Sequence, residues 1–238
     1  MSDVVLVTGG AKRIGREICL YLSSCGFDIV IHHSNSDVES VQLAEKIQKF
    51  GQKAFIIKSD FSNLVNLETD LARIPDDLVI NYLINNAAIF ESLTFQDTTL
   101  VDWDRHLSVN LTAPFLVSQW FVKRLSPDAH AKIINILDWR AFRPQTDHFP
   151  YTISKAALAA MTKALALSLA PLVSVNGIAF GAILPPSDGT PPEKMLNAVP
   201  FGRTATMDEV FKTVQFLLQG PDYITGEFIH LDGGRHLV

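Results

Sequence analysis

Val4-Val5-Leu6-Val7-Thr8-Gly9-Gly10-Ala11-Lys12-Arg13-Ile14-Gly15 is the stretch on which the fold turns. Its first four residues are branched and apolar with no polar alternation, the mark of a short strand buried on both faces. A glycine-rich turn follows at once, and from Ile14 the apolar residues take a helical period. Glycines in such a turn let the backbone bend tightly and approach a pyrophosphate, whose charge rests on the free N–H groups of the helix start. Gly9, Arg13, Ile14 and Gly15 are therefore candidate contacts to a dinucleotide.

The same alternation continues through the chain. Strands are expected at 4–7, 28–32, 54–58, 82–84, 132–137, 173–178 and 228–231, and helices at 14–24, 38–50, 64–73, 100–125, 152–170 and 208–218. Apolar strands separated by helices imply an α/β fold, a doubly wound parallel sheet covered on both faces, in a single domain over residues 1–238. Capping boxes are expected at Ser36…Glu39, Thr99…Asp102 and Thr206…Glu209. The stretch 184–192, with four prolines and Gly189, excludes regular structure and follows a strand, so 184–195 is the expected substrate loop.

A length of 238 residues, 47% hydrophobic and 19% charged, describes a compact chain that needs no disulfide or metal staple. A net charge of -5 argues against a nucleic-acid surface. Cys19 and Cys25 lie on different faces of one expected helix, which suits a reducing compartment. Neither a signal-peptide pattern nor an uninterrupted apolar run of about 18 residues is visible, so no membrane span is expected and the cytoplasm is the expected compartment.

The end of the second expected strand reads His32-His33-Ser34-Asn35-Ser36 and carries no acid. A carboxylate there would hydrogen-bond a ribose hydroxyl but repel a 2′-phosphate. Hydroxyls and an amide at Ser34, Asn35 and Ser36, with a protonated imidazole from the histidine pair, suit the phosphate, so NADPH is the expected cofactor. The two histidines alternate faces on a strand, and no metal site is expected. Asp60 and Phe61 end the third strand and Asn86 and Ala87 follow the fourth, where they would bracket an adenine and its ribose.

Tyr151 and Lys155 stand four apart at a helix start and project from one face. A nearby ammonium, together with a nicotinamide cation in the oxidised complex, favours the phenolate, so the tyrosine pKa is expected to fall from about 10, which fits the residue to deliver a proton.

The glycine-rich turn, Asn85-Asn86-Ala87, Asn110, Tyr151 with Lys155 and the closing Asp232-Gly233-Gly234 together resemble the short-chain dehydrogenase/reductase family over essentially the whole chain. That resemblance implies a seven-stranded sheet, a relay water held by Asn110, and a ribose contact from Lys155. It also implies cofactor contacts at Gly181 and Ile183, although Phe180 stands where the family has proline. Pairing of the two long helices between subunits, giving a homotetramer, is implied as well.

Two departures narrow the group. Arg13 replaces the family's middle glycine, and Asp138 replaces the serine found thirteen residues before the tyrosine. A carboxyl beside a developing alkoxide is repulsive, whereas beside a pterin it could accept ring N–H bonds or, with a raised pKa, help deliver a proton. With Phe90 and the closing Leu231-Asp232-Gly233-Gly234-Arg235-His236-Leu237, these features resemble the pteridine reductases and dihydromonapterin reductases. The resemblance implies that Phe90 stacks on a pterin, that Arg13 reaches both cofactor phosphate and substrate, and that Asp138 and Tyr151 touch the substrate, a pterin or folate. A serine of that group is absent at Ala88. The competing readings are a 3-oxoacyl-type carbonyl reductase of the same family and a non-catalytic dinucleotide sensor.

Overall fold

A computed structural model of the chain describes residues 2–184, 196 and 198–238. Most of the expected substrate loop, 185–195, lies outside the described residues. Seven strands, β1 (Val4–Val7), β2 (Asp28–His33), β3 (Ala54–Lys58), β4 (Tyr82–Asn85), β5 (Ala131–Asp138), β6 (Val173–Phe180) and β7 (Phe228–Leu231), form one sheet. Every pairing is parallel and the order is β3-β2-β1-β4-β5-β6-β7. Chain order reverses between β1 and β4, and that switch point opens a crevice at the carboxyl ends of the strands.

The strands read as apolar runs because helices cover both faces. On one face, Ile18 and Leu22 of α1 (Arg13–Ser24), Leu43 and Ile47 of α2 (Asp37–Lys49), and Val210 and Val214 of α7 (Met207–Gln219) pack on Val5, Ile29 and Ile178. On the other, α3 (Leu67–Leu71), α5 (Ala113–Lys123) and α6 (Phe149–Leu169) bring Leu71, Val117, Phe121 and Ala166 onto Leu6, Leu83 and Ile133.

Three local expectations are corrected. The helix expected over 100–125 is interrupted: α4 (Leu100–Leu107) passes through a π turn at Ser108–Thr112 before α5 resumes. Such turns insert a residue and re-aim side chains, here that of Asn110. The stretch expected as helix 64–73 is α-helical only over α3, after a 3-10 turn at Leu64–Asn66 capped by the Asn63 side chain. Thr99 and Thr206 form their capping boxes, but the Ser36 side chain caps nothing. Its acid partner is drawn away, since Glu39 pairs with Lys12 at 3.0 Å, and the Ser36 N–H donates to His33 Nδ1 at 3.2 Å.

Although no span is expected, α6 is 21 residues long and apolar enough to cross a membrane by length and composition. Its inner face nonetheless sits in the core, with Leu158 and Ala159 against Leu137 and Ala179.

Candidate active site

The crevice begins at the turn after β1. Gly9 has φ +62°, which a side chain would strain, and a Cβ there would lie 2.9 Å from Cα of Ala87. Gly15 leaves no room either, as its Cβ would strike the Gly9 carbonyl oxygen and lie 2.6 Å from Asn86 Nδ2. These glycines let the β1 and β4 loops close on each other. Asn86 fastens the contact, donating from Nδ2 to the carbonyls of Thr8 (2.9 Å) and Gly9 (3.2 Å), while the Asn86 and Ala87 N–H groups donate to Thr8 Oγ1.

The result is a cleft of about 560 Å³ whose wall includes Gly9, Arg13, Ile14, Gly15, Ser34, Asn35, Asp60, Phe61, Asn86 and Ala87. Ten of the expected cofactor positions thus share one surface. Ser36 does not reach it, being buried with its N–H on His33. Gly181 and Ile183 lie elsewhere along the sheet edge, Gly181 donating its N–H to Leu231 at 3.0 Å and Ile183 buried against the sheet.

Three features suit the cleft to an anion. The first turn of α1 holds no acid, so its free N–H groups meet no competing charge. Lys12, which is paired with Glu39, and Arg13 line the wall. Arg13 is also held at φ +51°, a left-handed conformation that costs an L side chain about 1–2 kcal/mol and that glycine would adopt freely.

His32, which strand alternation marks only as a polar strand end, organises this wall. Its Nδ1 accepts the Gly9 N–H at 3.1 Å and its Nε2 faces the Ser59 carbonyl at 3.0 Å, so the ring is neutral with the proton on Nε2. Burial pushes its pKa down to about 4. The ring stacks on Phe61 at 4.0 Å, which ties the ends of β1, β2 and β3 together.

At the far end of the crevice, β5 ends at Asp138 and α6 starts at Phe149. Tyr151 donates its hydroxyl proton to Asp138 Oδ2 at 3.2 Å, and the Arg140 N–H donates to Asp138 Oδ1 at 2.8 Å. Burial raises the Asp138 carboxyl above its ordinary range. Burial first, and then the Asp138 charge, push the Tyr151 phenol well above its ordinary value. Lys155 alone therefore does not lower the tyrosine in this geometry. The Lys155 ammonium donates to the Ile136 carbonyl at 2.6 Å and stands 5.9 Å from the Tyr151 ring centroid, while the carboxyl is in direct contact. Lys155 itself is brought down to about 8 by burial. Tyr151 is thereby held protonated, the state a proton donor needs.

Asn110, turned inward by the π turn, donates to the Ile89 carbonyl (3.1 Å) and Ser154 Oγ (3.0 Å) and accepts the Ile89 N–H (2.9 Å). The Asn110 side chain is therefore fully engaged, and it ties the Ile89 loop to α6. That loop presents Phe90, half exposed, with its edge to Tyr151 at 4.6 Å and its face stacked on His148 at 3.8 Å. His148, at φ +50°, and Arg140, whose guanidinium lies 5.6 Å from the Phe90 ring, were not foreseen. A histidine or arginine between a strand and a helix carries no period that would single it out. Ala88 contributes no side-chain hydrogen bond beside Phe90, and Trp103 packs on Phe149 at 6.2 Å.

Among the described residues no group of histidine, cysteine and acid side chains could hold a metal ion.

Comparison with known proteins places this geometry. A family model described as short chain dehydrogenase matches residues 3–194. A 3-oxoacyl-[acyl-carrier-protein] reductase of Aquifex aeolicus is 34% identical, over 98% of this chain and 97% of its own. Among solved structures, alternative dihydrofolate reductase 1 (FolM) of Brucella suis, in complex with NADP, superposes with a TM-score of 0.88. It is 35% identical and covers 99% of this chain and 96% of its own. The Brucella canis protein, also complexed with NADP, has a TM-score of 0.88 and 36% identity over 99% and 95%.

Proposed function

The chain belongs to the short-chain dehydrogenase family, and we propose that within it this oxidoreductase uses NADPH to reduce a 7,8-dihydropterin, dihydromonapterin or dihydrofolate, to the tetrahydro form. The observation that carries the reading is Asp138 in direct hydrogen-bond contact with Tyr151 (3.2 Å), beside the half-exposed Phe90 ring.

The cleft fits the cofactor by its donor set. An acid-free helix start, Lys12 and Arg13 would hold phosphate, Ser34 and Asn35 the 2′-phosphate, Asp60 and Phe61 the adenosine end, and Lys155 the nicotinamide ribose. When bound, NADPH supplies the hydride, which goes to C6 of the pterin. The protein's part is the proton for N5. Tyr151 holds it, because burial and the neighbouring carboxyl keep the phenol protonated. Asp138 can replace it, because burial has raised its own affinity for protons. Arg13 would reach the substrate from the cofactor side, and Phe90 would stack on the pterin, its ring braced from behind by His148. A ketone would gain little from an ionised Asp138, since an alkoxide forming beside a carboxylate is repelled. The printed descriptions of the two Brucella proteins, dihydrofolate reductases complexed with NADP, support the same reading.

The Aquifex relative supports a second reading, reduction of a 3-oxoacyl carbonyl on the same tyrosine. Following NADPH oxidation with a panel of dihydropterins, a 3-oxoacyl thioester and a simple ketone separates the two. The pterin reading requires turnover in the first arm. It fails if no dihydropterin reacts while the thioester does.

We further propose a cytoplasmic homotetramer, with the exposed Phe115 of α5 and Leu167 of α6 between subunits. Both described cysteines are free, as a reducing compartment would leave them. Light scattering that returns a monomer would remove the assembly.

A further inference from the structure

Three guanidinium groups gather beyond the reacting tyrosine, and the reduction described above uses none of their charge. After Asp138 the chain turns through Trp139 and Arg140 and runs out to Arg143. On the same edge of the sheet, β7 ends and the Asp232-Gly233-Gly234 turn leads to Arg235. The buried Trp139 ring joins the two segments, with the Arg140 guanidinium carbon 4.6 Å and that of Arg235 4.7 Å from its centroid. Arg140 lies 5.6 Å from the Phe90 ring, whose edge meets Tyr151. A row of aromatic and cationic groups thus leads outward from the reacting pair.

The charge in this row is poorly balanced. Among the described residues Asp147 is the one acid in a salt bridge with it, 2.9 Å from Arg140, and its charge also acts on Arg235. Glu91 is taken by Arg105, and Asp232 accepts from the Gly234 and His236 N–H groups and from the His236 ring. Among the described residues Arg143 and Arg235 form no salt bridge with any acid. Burial, and then crowding by Arg140 and Arg143, pull the Arg235 guanidinium below its ordinary range. Two buried polar atoms in the row, Arg140 Nε and Asp147 Oδ1, also lack hydrogen-bond partners. Unneutralised guanidinium groups beside a binding site are held there at a Coulomb penalty, and a planar bidentate anion is what their geometry matches.

We propose that Arg143 and Arg235 form a rim that receives carboxylates on the tail of the substrate, so that dihydrofolate, with its glutamate carboxylates, is preferred over pterins with neutral hydroxyalkyl tails. This selection rests on the pterin reading and concerns only the part of the substrate beyond the reacting ring.

The test compares kcat/KM for dihydrofolate and for neutral-tailed dihydrobiopterin in the wild type and in R143Q/R235Q. Charge-assisted hydrogen bonds of this kind are each worth about 1.5–3 kcal/mol, so the double variant is expected to lose about tenfold or more with dihydrofolate, mainly through KM. With dihydrobiopterin, whose tail brings no carboxylate to these two side chains, it is expected to stay within about twofold. That second substrate also reports that the variant is folded. An equal loss on both substrates, or no loss on dihydrofolate, overturns the inference and leaves the pterin reading standing. Turnover of neither pterin by the wild type overturns both.

Discussion

Replacing Asp138 by asparagine should make the protein more stable and nearly inactive. The Asp138 side chain is partly buried, and desolvation raises its pKa above the ordinary range. Holding a charge in such a place costs several kcal/mol after relaxation. An amide keeps the bond from the Arg140 N–H, now 2.8 Å, and can donate to the Tyr151 oxygen, now 3.2 Å, instead of accepting from it. What is lost is charge assistance, worth about 1.5–3 kcal/mol, against the larger desolvation relieved. The net gain is about 1 kcal/mol, which for a chain of this size raises Tm by about 2–4 °C. The sign follows from linkage. A carboxyl whose folded pKa is raised holds its proton when the unfolded chain has lost it, so stability falls as pH rises through that window. The asparagine variant should lack this fall. Turnover of dihydropterin should drop by about 10²–10⁴, the usual share of acid–base catalysis. Thermal melting across pH, with NADPH oxidation on the same samples, measures both. A variant that melts several degrees lower at neutral pH, or keeps wild-type turnover, would refute the reasoning.

Arg13→Gly should release the left-handed strain, raising stability by about 1 kcal/mol in chemical denaturation, and should weaken NADPH binding with a shallower salt dependence. Phe90→Ala should raise KM for a dihydropterin by about tenfold with a smaller change in kcat, since a stacked ring contributes about 0.5–1.5 kcal/mol beyond its area. His32 has a folded pKa of about 4 against an ordinary 6.5, so between those values the unfolded chain binds the extra proton and stability falls as pH falls. His32→Asn should flatten that loss by about 3 kcal/mol, read as a smaller drop in denaturation midpoint between pH 6.5 and pH 4. An acid limb equally steep in the variant would remove His32 from the account.

The strands were legible because each is an apolar run closed by a turn, and a parallel sheet buried on both faces needs such runs. The glycine-rich turn was legible because Gly9 and Gly15 serve backbone approach, which no other residue permits. Geometry decided what sequence spacing could not. Tyr151 and Lys155 share a helix face, yet the Lys155 ammonium bonds Ile136 and the Tyr151 hydroxyl bonds Asp138, so Lys155 alone does not lower the phenol. Ser36 has the residue types of a capping box, but Lys12, distant in sequence, takes its acid. His32 and Asn110 look like isolated polar residues and prove to be braces, because their partners Gly9, Ser59, Ile89 and Ser154 arrive from other elements.

The most direct test of the central claim is transfer of deuterium from NADPH labelled at the nicotinamide C4 position. With dihydrofolate or dihydromonapterin as acceptor, the tetrahydro product should carry one deuterium at C6, with the N5 proton drawn from solvent. An unlabelled pterin, alongside deuterium delivered to the carbonyl carbon of a 3-oxoacyl thioester, would contradict it.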